Sequence, residues 1–317
     1  MISCCQLLAC ENISLRITIV SFASYTDHPI KQLISKQDWD KLFPERWGVG
    51  KAWKKEYNPS QPWYYPRMDV DYYAYEVFIA AVERIAKIGF PNFANEPGAS
   101  EDDQKRELCA FLANIAHETG SDMNGLYYRE ELGYERAGPN SSPAYNSVGN
   151  EVQFKLGKSK VMFRPGTQNK GKVRFTSASY HGRGPLQLSW GYNYGYFSKA
   201  MFGDPQVLLK HPDKLLTYPV LGMSAAIWFW MTQPNWRQTH VPHNVIYKSL
   251  SKLNTWGFGN TIMAINGAIE SGGRENGGSE RDKKVTRRIK HYRKCASYLK
   301  ISVGEDGEKL DTVGLSN

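Results

Sequence analysis

No run of apolar residues in this chain reaches the roughly 18–20 that a membrane-spanning helix needs, so stable insertion into a bilayer is not expected. Cysteine is scarce. Of the five, Cys4, Cys5 and Cys10 crowd the first ten residues, and only Cys109 and Cys295 fall in the body. There is no CxxC pair, so neither a disulfide framework nor a metal site is expected. No nucleic-acid-binding motif stands behind the basic residues, which leaves nucleic acid without support as a partner.

What is present suits a globular protein. The 317 residues are 41% hydrophobic and 13% aromatic, enough for one large domain or two modest ones. The net charge of +9, from 40 basic and 31 acidic residues, favours anionic surfaces and says nothing of fold. Much of the excess sits between Arg281 and Lys294, where a solvated helix face is the default reading. Ile17 to Ala23 is an apolar run of signal-peptide length, but it follows Glu11 and Arg16 instead of a short basic start. Secretion through an atypical leader is the expectation.

The stretch Tyr180 to Gly195, YHGRGPLQLSWGYNYG, combines aromatics, amides, a hydroxyl and a glycine-flanked arginine without any acidic residue. Aromatic faces suit the apolar side of a sugar ring, and Gln187, Ser189 and Asn193 suit its hydroxyl and amide groups. On composition alone an aromatic structural loop is an equal reading. Leu186 to Trp190 alternates as a short half-buried strand would, with Gln187 and Ser189 on one face.

In chain order, residues 1–34 show no strong period and are expected to lie outside the core. Ser35 opens a short capped helix with Trp39, Leu42 and Phe43 inward, stopped by Pro44. Asp69 or Asp71 is a candidate cap for a core helix carrying Tyr73, Val77, Ala81, Ile85 and Ile88, ended by Gly89. Ser100 with Asp103 resembles a capping box for the next. On that helix Leu108, Phe111, Leu112, Ile115, Glu118 and Thr119 share one stripe.

Desolvation and the negative end of the helix dipole both favour the protonated form of a carboxyl at Glu118, as a general acid requires. A buried salt bridge is the competing reading. Glu130 and Glu131 follow a glycine-containing turn, and paired carboxylates beside a sugar-binding surface suggest glycoside hydrolysis. Only one of them would face a cleft.

Residues 134–178 form a long stretch with a hairpin candidate at Val152 to Leu156 and Val161 to Phe163. Such a stretch serves as lid, binding loop or mobile segment. Pro219 to Met231 reads as a helix apolar nearly all round, hence buried. Asn266 and Glu270 lie four residues apart on a further helix. Ser279 and Asp282 open a last one, with Val285, Ile289, Tyr292, Ala296 and Leu299 inward and Arg288 able to reach a carboxylate. Residues 300–317 read as a frayed tail.

The segments AFLANIAHETG, YYREELG, SYHGRGPLQLSWGYNYG, AAIWFWMTQP and GFGNTIMAINGAIESGG occur in order between Ser35 and Leu299. Together they resemble the family 19 glycoside hydrolases, the chitinases of plants and bacteria. The resemblance implies a mainly α, lysozyme-like, two-lobed α+β fold with an open cleft over residues 35–300, flanked by an N-terminal extension and a tail at 301–317. It implies cofactor-free, inverting endo-hydrolysis of β-1,4-linked N-acetylglucosamine polymers such as chitin, and since an open cleft works in a monomer, a monomer is the expectation.

By the same resemblance Glu118 is the general acid, Glu131 the base with Glu130 as fallback, and Ser189 a holder of the attacking water. His117, Arg183, Gln187, Trp190, Tyr192, Asn193 and Asn266 fall at substrate positions, and Glu270 with Arg288 forms a charged pair behind the acid. Ser271 stands where plant members have a disulfide cysteine, and Ser224 where they have a lysine. The rivals are a muramidase-type enzyme acting on peptidoglycan and a silent binder of chitooligosaccharides.

Overall fold

The computed structural model describes residues 29–44, 46, 71–120, 129, 152–156, 159–163, 180–232 and 240–315. Helix α1 (Ile30–Leu33) precedes α2 (Lys36–Leu42), which Ser35 and Asp38 open with the expected capping box. Trp39 is fully buried, donates from Nε1 to the Tyr73 carbonyl at 2.9 Å and stacks on Phe78. Ile30, Leu33 and Ile34 are buried in the same core, so the packed region begins before residue 35, contrary to the reading of 1–34 as an extension. A four-residue helix is too short to show a period.

Helix α3 (Tyr75–Lys87) buries Val77, Ala81 and Ile85 as its spacing predicts, and Gly89 follows it at a φ of +108°. Its cap differs from expectation. Asp71 accepts from the Tyr73 amide at 3.0 Å and pairs with Arg46, while Ala74 holds the N-cap position without a side-chain bond. Asp69 lies outside the described residues.

Helix α4 (Glu101–Thr119) starts at Ser100, whose hydroxyl accepts from the Asp103 amide at 3.1 Å. From Glu107 to Ala116 it is buried on every side. It is therefore the axis of the fold, with the last helix packed along it.

Strands β1 (Val152–Leu156) and β2 (Ser159–Phe163) pair antiparallel, Val152 opposite Phe163, as the alternation predicts. Beyond them come α5 (Gly191–Phe202), α6 (Gln206–Lys210), α7 (Lys214–Thr217) and α8 (Pro219–Thr232). Helix α8 is buried from Leu221 to Trp228 and at Trp230, and packs on α3. Helix α9 (Pro242–Ile246) leads to α10 (Phe258–Glu270) and α11 (Glu280–Leu299), the latter opened by the Ser279–Asp282 capping box. Val285, Ile289, Tyr292, Ala296 and Leu299 face inward as predicted. The described chain is thus mainly helical, with one hairpin.

The reading of 300–317 as a frayed tail does not hold for the part described. Glu308 accepts from the Tyr292 hydroxyl and the Gly304 amide, each at 2.7 Å. Lys309 donates its amide to the Trp256 carbonyl at 2.9 Å and accepts from the Gly259 amide at 2.7 Å. The segment is polar because its polar atoms are spent on α10, on α11 and on the loop before α10. Sequence polarity alone cannot separate that from solvation.

One buried carboxylate knits α4 to α8 and α9. Glu107, fully buried, accepts from Trp230 Nε1 (2.9 Å), the Tyr247 hydroxyl (2.7 Å) and the Ala94 amide (2.9 Å), and His243 Nδ1 sits 2.7 Å from it. His243 Nε2 reaches Glu96 at 3.3 Å. Burial lowers the His243 pKa, but the charges of Glu107 and Glu96 outweigh it and the net direction is upward from the usual 6.5.

A histidine raised on folding contributes stability below its unfolded pKa and loses it as pH rises through the folded value. Urea unfolding should therefore show stability falling as pH is raised above about 6.5. The fall should be missing from His243→Gln.

Candidate active site

Arg288 is the fixed point of the site. The α11 face that buries Ile289 and Tyr292 carries this guanidinium beneath the end of α4, and it is fully buried. Nε and Nη2 grip Glu270 at 2.9 and 2.7 Å in a two-pronged fork. Nη1 donates to Asn114 Oδ1 at 2.9 Å, and Nη2 also reaches Glu118 Oε1 at 2.5 Å. Asn114 is itself held through Nδ2 by the Ala110 carbonyl and Thr261 Oγ1.

Burial lowers the Arg288 pKa, but Glu118 and Glu270 outweigh it and drive it up. Burial likewise raises that of Glu270, and the Arg288 charge with its hydrogen bonds brings the net direction down. The cluster is a cation clasped by a fully buried carboxylate and by Glu118, whose side chain is 19% exposed. Glu118 thus has the buried ion pair that was the competing sequence reading. It stands on the apolar stripe in the last turn of α4 and also has a buried ion partner.

Helix α10 is shaped to bring Glu270 there. Asn266 leaves helical geometry (φ −141°, ψ 32°), and its amide donates to Glu270 Oε1 at 2.9 Å. Beyond the helix end, Thr312 is fully buried. Its hydroxyl donates to the Glu270 carbonyl at 2.5 Å and accepts from the Gly273 amide at 2.8 Å. Asn114 and Thr312 escaped the sequence reading. Asn114 could have been found, since it is a lone amide four residues before Glu118 in an otherwise apolar run. Nothing local marks Thr312.

The 180–195 stretch folds more tightly than a strand. Arg183 and Leu188 exchange backbone hydrogen bonds at 3.2 and 2.9 Å around a turn closed from Gln187 N to Gly184 O. The burial alternates as predicted, Leu186 and Leu188 inside and Gln187 and Ser189 half-buried, but the ladder is a single bridge. Gln187 (φ +50°) and Trp190 (φ +75°) occupy left-handed backbone that costs a non-glycine residue energy, a feature that clusters at binding sites. At Gly182 a Cβ would lie 2.9 Å from Gln187 Cβ, so the glycine is what lets Gln187 fold back over the loop.

Half-buried Trp190 and Tyr192 stack at 6.3 Å and open α5. Asn193 Nδ2 donates to the Ser189 carbonyl at 2.8 Å, while its Oδ1 is buried with no hydrogen-bond partner among the described residues.

Arg183 is a correction. Expected at a substrate position, it is 4% exposed, and its Nη atoms contact Asp213 (2.8 Å), Tyr194 Oη (3.0 Å) and the His181 carbonyl. It props the loop from inside. Glycine neighbours signalled close packing, which the sequence cannot distinguish from ligand approach.

His117 is half-buried beside α11, its Nδ1 without a partner among the described residues. Burial, then Arg288 and Arg287, holds its pKa well below 6.5, so it is neutral next to Glu118. Glu130 and Glu131 lie outside the described residues. Arg129, just before them, accepts at its carbonyl from the Gly184 amide at 2.7 Å, which ties that point of the chain to the turn. Ser224 is fully buried within α8. Among the described residues no group of three His, Cys, Asp or Glu is placed to hold a metal, and no helix is long and apolar enough to cross a membrane.

Residues 67–311 match the family model described as chitinase class I. Endochitinase A2 of Pisum sativum is 30% identical over 74% of this chain and 63% of its own length. The inactive chitinase-like protein 1 of Hevea brasiliensis is also 30% identical, over 74% of this chain and 66% of its own length. The chain thus spans just under two thirds of these relatives. The crystal structure of chitinase C from Streptomyces griseus superposes with a TM-score of 0.55 at 26% identity, covering 88% of this chain and 80% of that one. The mainly α architecture is that lysozyme-like fold.

Removing the guanidinium would leave Glu270 buried without its counter-charge. Arg288→Ala should therefore lower the unfolding free energy by about 3–5 kcal/mol in urea titrations. Arg288→Lys should recover only part of it, because an ammonium lacks the fork.

Proposed function

This chain belongs to the chitinase class I family, the family 19 glycoside hydrolases, and from that premise we propose that it cleaves β-1,4-linked N-acetylglucosamine polymers with inversion, using Glu118 as general acid. The observation that carries the assignment is the Arg288 clasp, which fixes Glu118 Oε1 at the open end of a buried ion cluster. Glu118 delivers its proton to the leaving glycosidic oxygen. Glu131, with Glu130 as the fallback, takes a proton from a water on the opposite face of the sugar, and Ser189 helps hold that water. Inverting pairs stand about 6.5–9.5 Å apart to make room for it.

After proton transfer the Glu118 carboxylate meets a guanidinium already in place, so no reorganisation is needed as charge develops. Glu270 and Arg288 are positioning residues in this scheme. On the binding side, Trp190 and Tyr192 offer ring faces to the sugar, and Gln187, Asn193 and Asn266 offer amides. His117, neutral, offers a further ring nitrogen beside the acid. We extend the same proposal to a secreted monomer, on the apolar run Ile17 to Ala23 and on the open cleft that the family resemblance implies.

A silent, chitooligosaccharide-binding protein is the second reading, favoured by the equal likeness to a relative named as inactive. Against it, Glu118, Glu131, Gln187, Ser189, Asn193 and Asn266 are all retained.

Proton NMR of the chain with a chitin hexasaccharide decides between them. The α-anomer should appear first, before mutarotation. Glu118→Gln and Glu131→Gln should each lower turnover by about 10²–10⁴-fold while oligosaccharide line broadening persists, and Glu130→Gln should not. Full turnover in Glu118→Gln would end the mechanism. Broadening without turnover in the unaltered chain would establish the binder.

A further inference from the structure

Two nucleophiles take no part in that chemistry. Cys109 on α4 and Cys295 on α11 are the only cysteines beyond position 10, and both are buried free thiols. They lie in the most extensive helix–helix contact of the fold, where the antiparallel register that sets Asn114 against Arg288 and Arg106 against Ser302 brings Cys109 level with Cys295. A buried side chain touches about 6–12 others, so two cysteines placed independently in a body this long would meet only about 2–4 times in a hundred. Packing alone does not call for the coincidence, since alanine, valine or serine fills such a position as well.

We propose that Cys109 and Cys295 form a disulfide that ties α4 to α11 when the chain folds in an oxidising compartment. The oxidant is a low-molecular-weight disulfide such as oxidised glutathione. One cysteine thiolate attacks it and expels a glutathione thiolate, leaving a mixed disulfide. The second thiolate then attacks the protein sulfur of that bond and expels the other glutathione. Two protein thiols are oxidised, one glutathione disulfide is reduced to two thiols, and the two protons pass to the departing thiolates.

The reaction belongs to folding, before the helices close. Once they have closed, burial, with the neighbouring Cys295 thiol second, holds the Cys109 thiol well above its usual range and out of reach of oxidants. The bond lies about 14 Å along α4 from Glu118 and about 10 Å along α11 from Arg288. It would fix the relative register of those two helices without touching the ion cluster.

The test is to refold the full chain from denaturant in a glutathione redox buffer, block free thiols under denaturing conditions, and map peptides by mass spectrometry without reduction. The expected product is one linked peptide pair containing Cys109 and Cys295, 2 Da lighter than the sum of its parts. Its melting temperature should exceed that of the chain refolded in dithiothreitol by about 5–10 °C. That difference should vanish in Cys295→Ala. Recovery of both cysteines in blocked form, or linked only to Cys4, Cys5 or Cys10, would overturn the proposal. Mapping uses the unaltered chain, so it stands even where the variant fails to fold.

Discussion

A fully buried guanidinium is tolerable only when acceptors surround it, because stripping water from a cation costs several kcal/mol that nothing apolar returns. Much of this fold reads as the answer to that constraint at Arg288. Helix α4 contributes Asn114 and Glu118, one helical turn apart, and α10 contributes Glu270. Asn266 breaks its helix and turns its amide to the same carboxylate. Thr312 clamps the backbone at the end of that helix from a segment 42 residues further on. Remove the cation, and the kink, the clamp and the asparagine lose their common purpose.

Helix α4 serves two such centres about 16 Å apart along its axis. At Glu107 an anion is surrounded by donors from Trp230, Tyr247 and the Ala94 amide, with His243 adding positive charge. At the other end a cation is surrounded by acceptors. The first is sealed from water, while the second leaves one carboxyl group partly open. The same chemistry of satisfied burial thus yields a structural joint at one end of a helix and a candidate proton donor at the other.

The sequence was most legible where the code is local. Serine with aspartate three residues on, at Ser35, Ser100 and Ser279, marked three helix starts because the capping bonds involve only those residues and the adjoining backbone. The apolar stripe placed Glu118 at a helix end with its side chain inward, and the all-apolar run placed α8 in the core. Long-range burial was not legible. Asp71 had the look of a cap and became a partner of Arg46; Arg183 had the look of a ligand and became a strut. The terminal segment had the look of solvent-facing chain, yet Glu308 and Thr312 are buried by partners whose identity no local pattern carries.

The pairing of α4 with α11 also has a polymer-physics consequence. Glu118 and Arg288 are 170 positions apart, and the chain between them includes everything from residue 120 to residue 180. Every described contact of the ion cluster lies within α4, α10 and α11, so added length in the connecting chain enters their pairing through closure entropy. Doubling such a segment costs roughly 0.6 kcal/mol. Added length between the two helices is therefore a small cost beside the several kcal/mol that hold the ion cluster together, and sequence separation is no measure of how firmly two parts of this chain are joined.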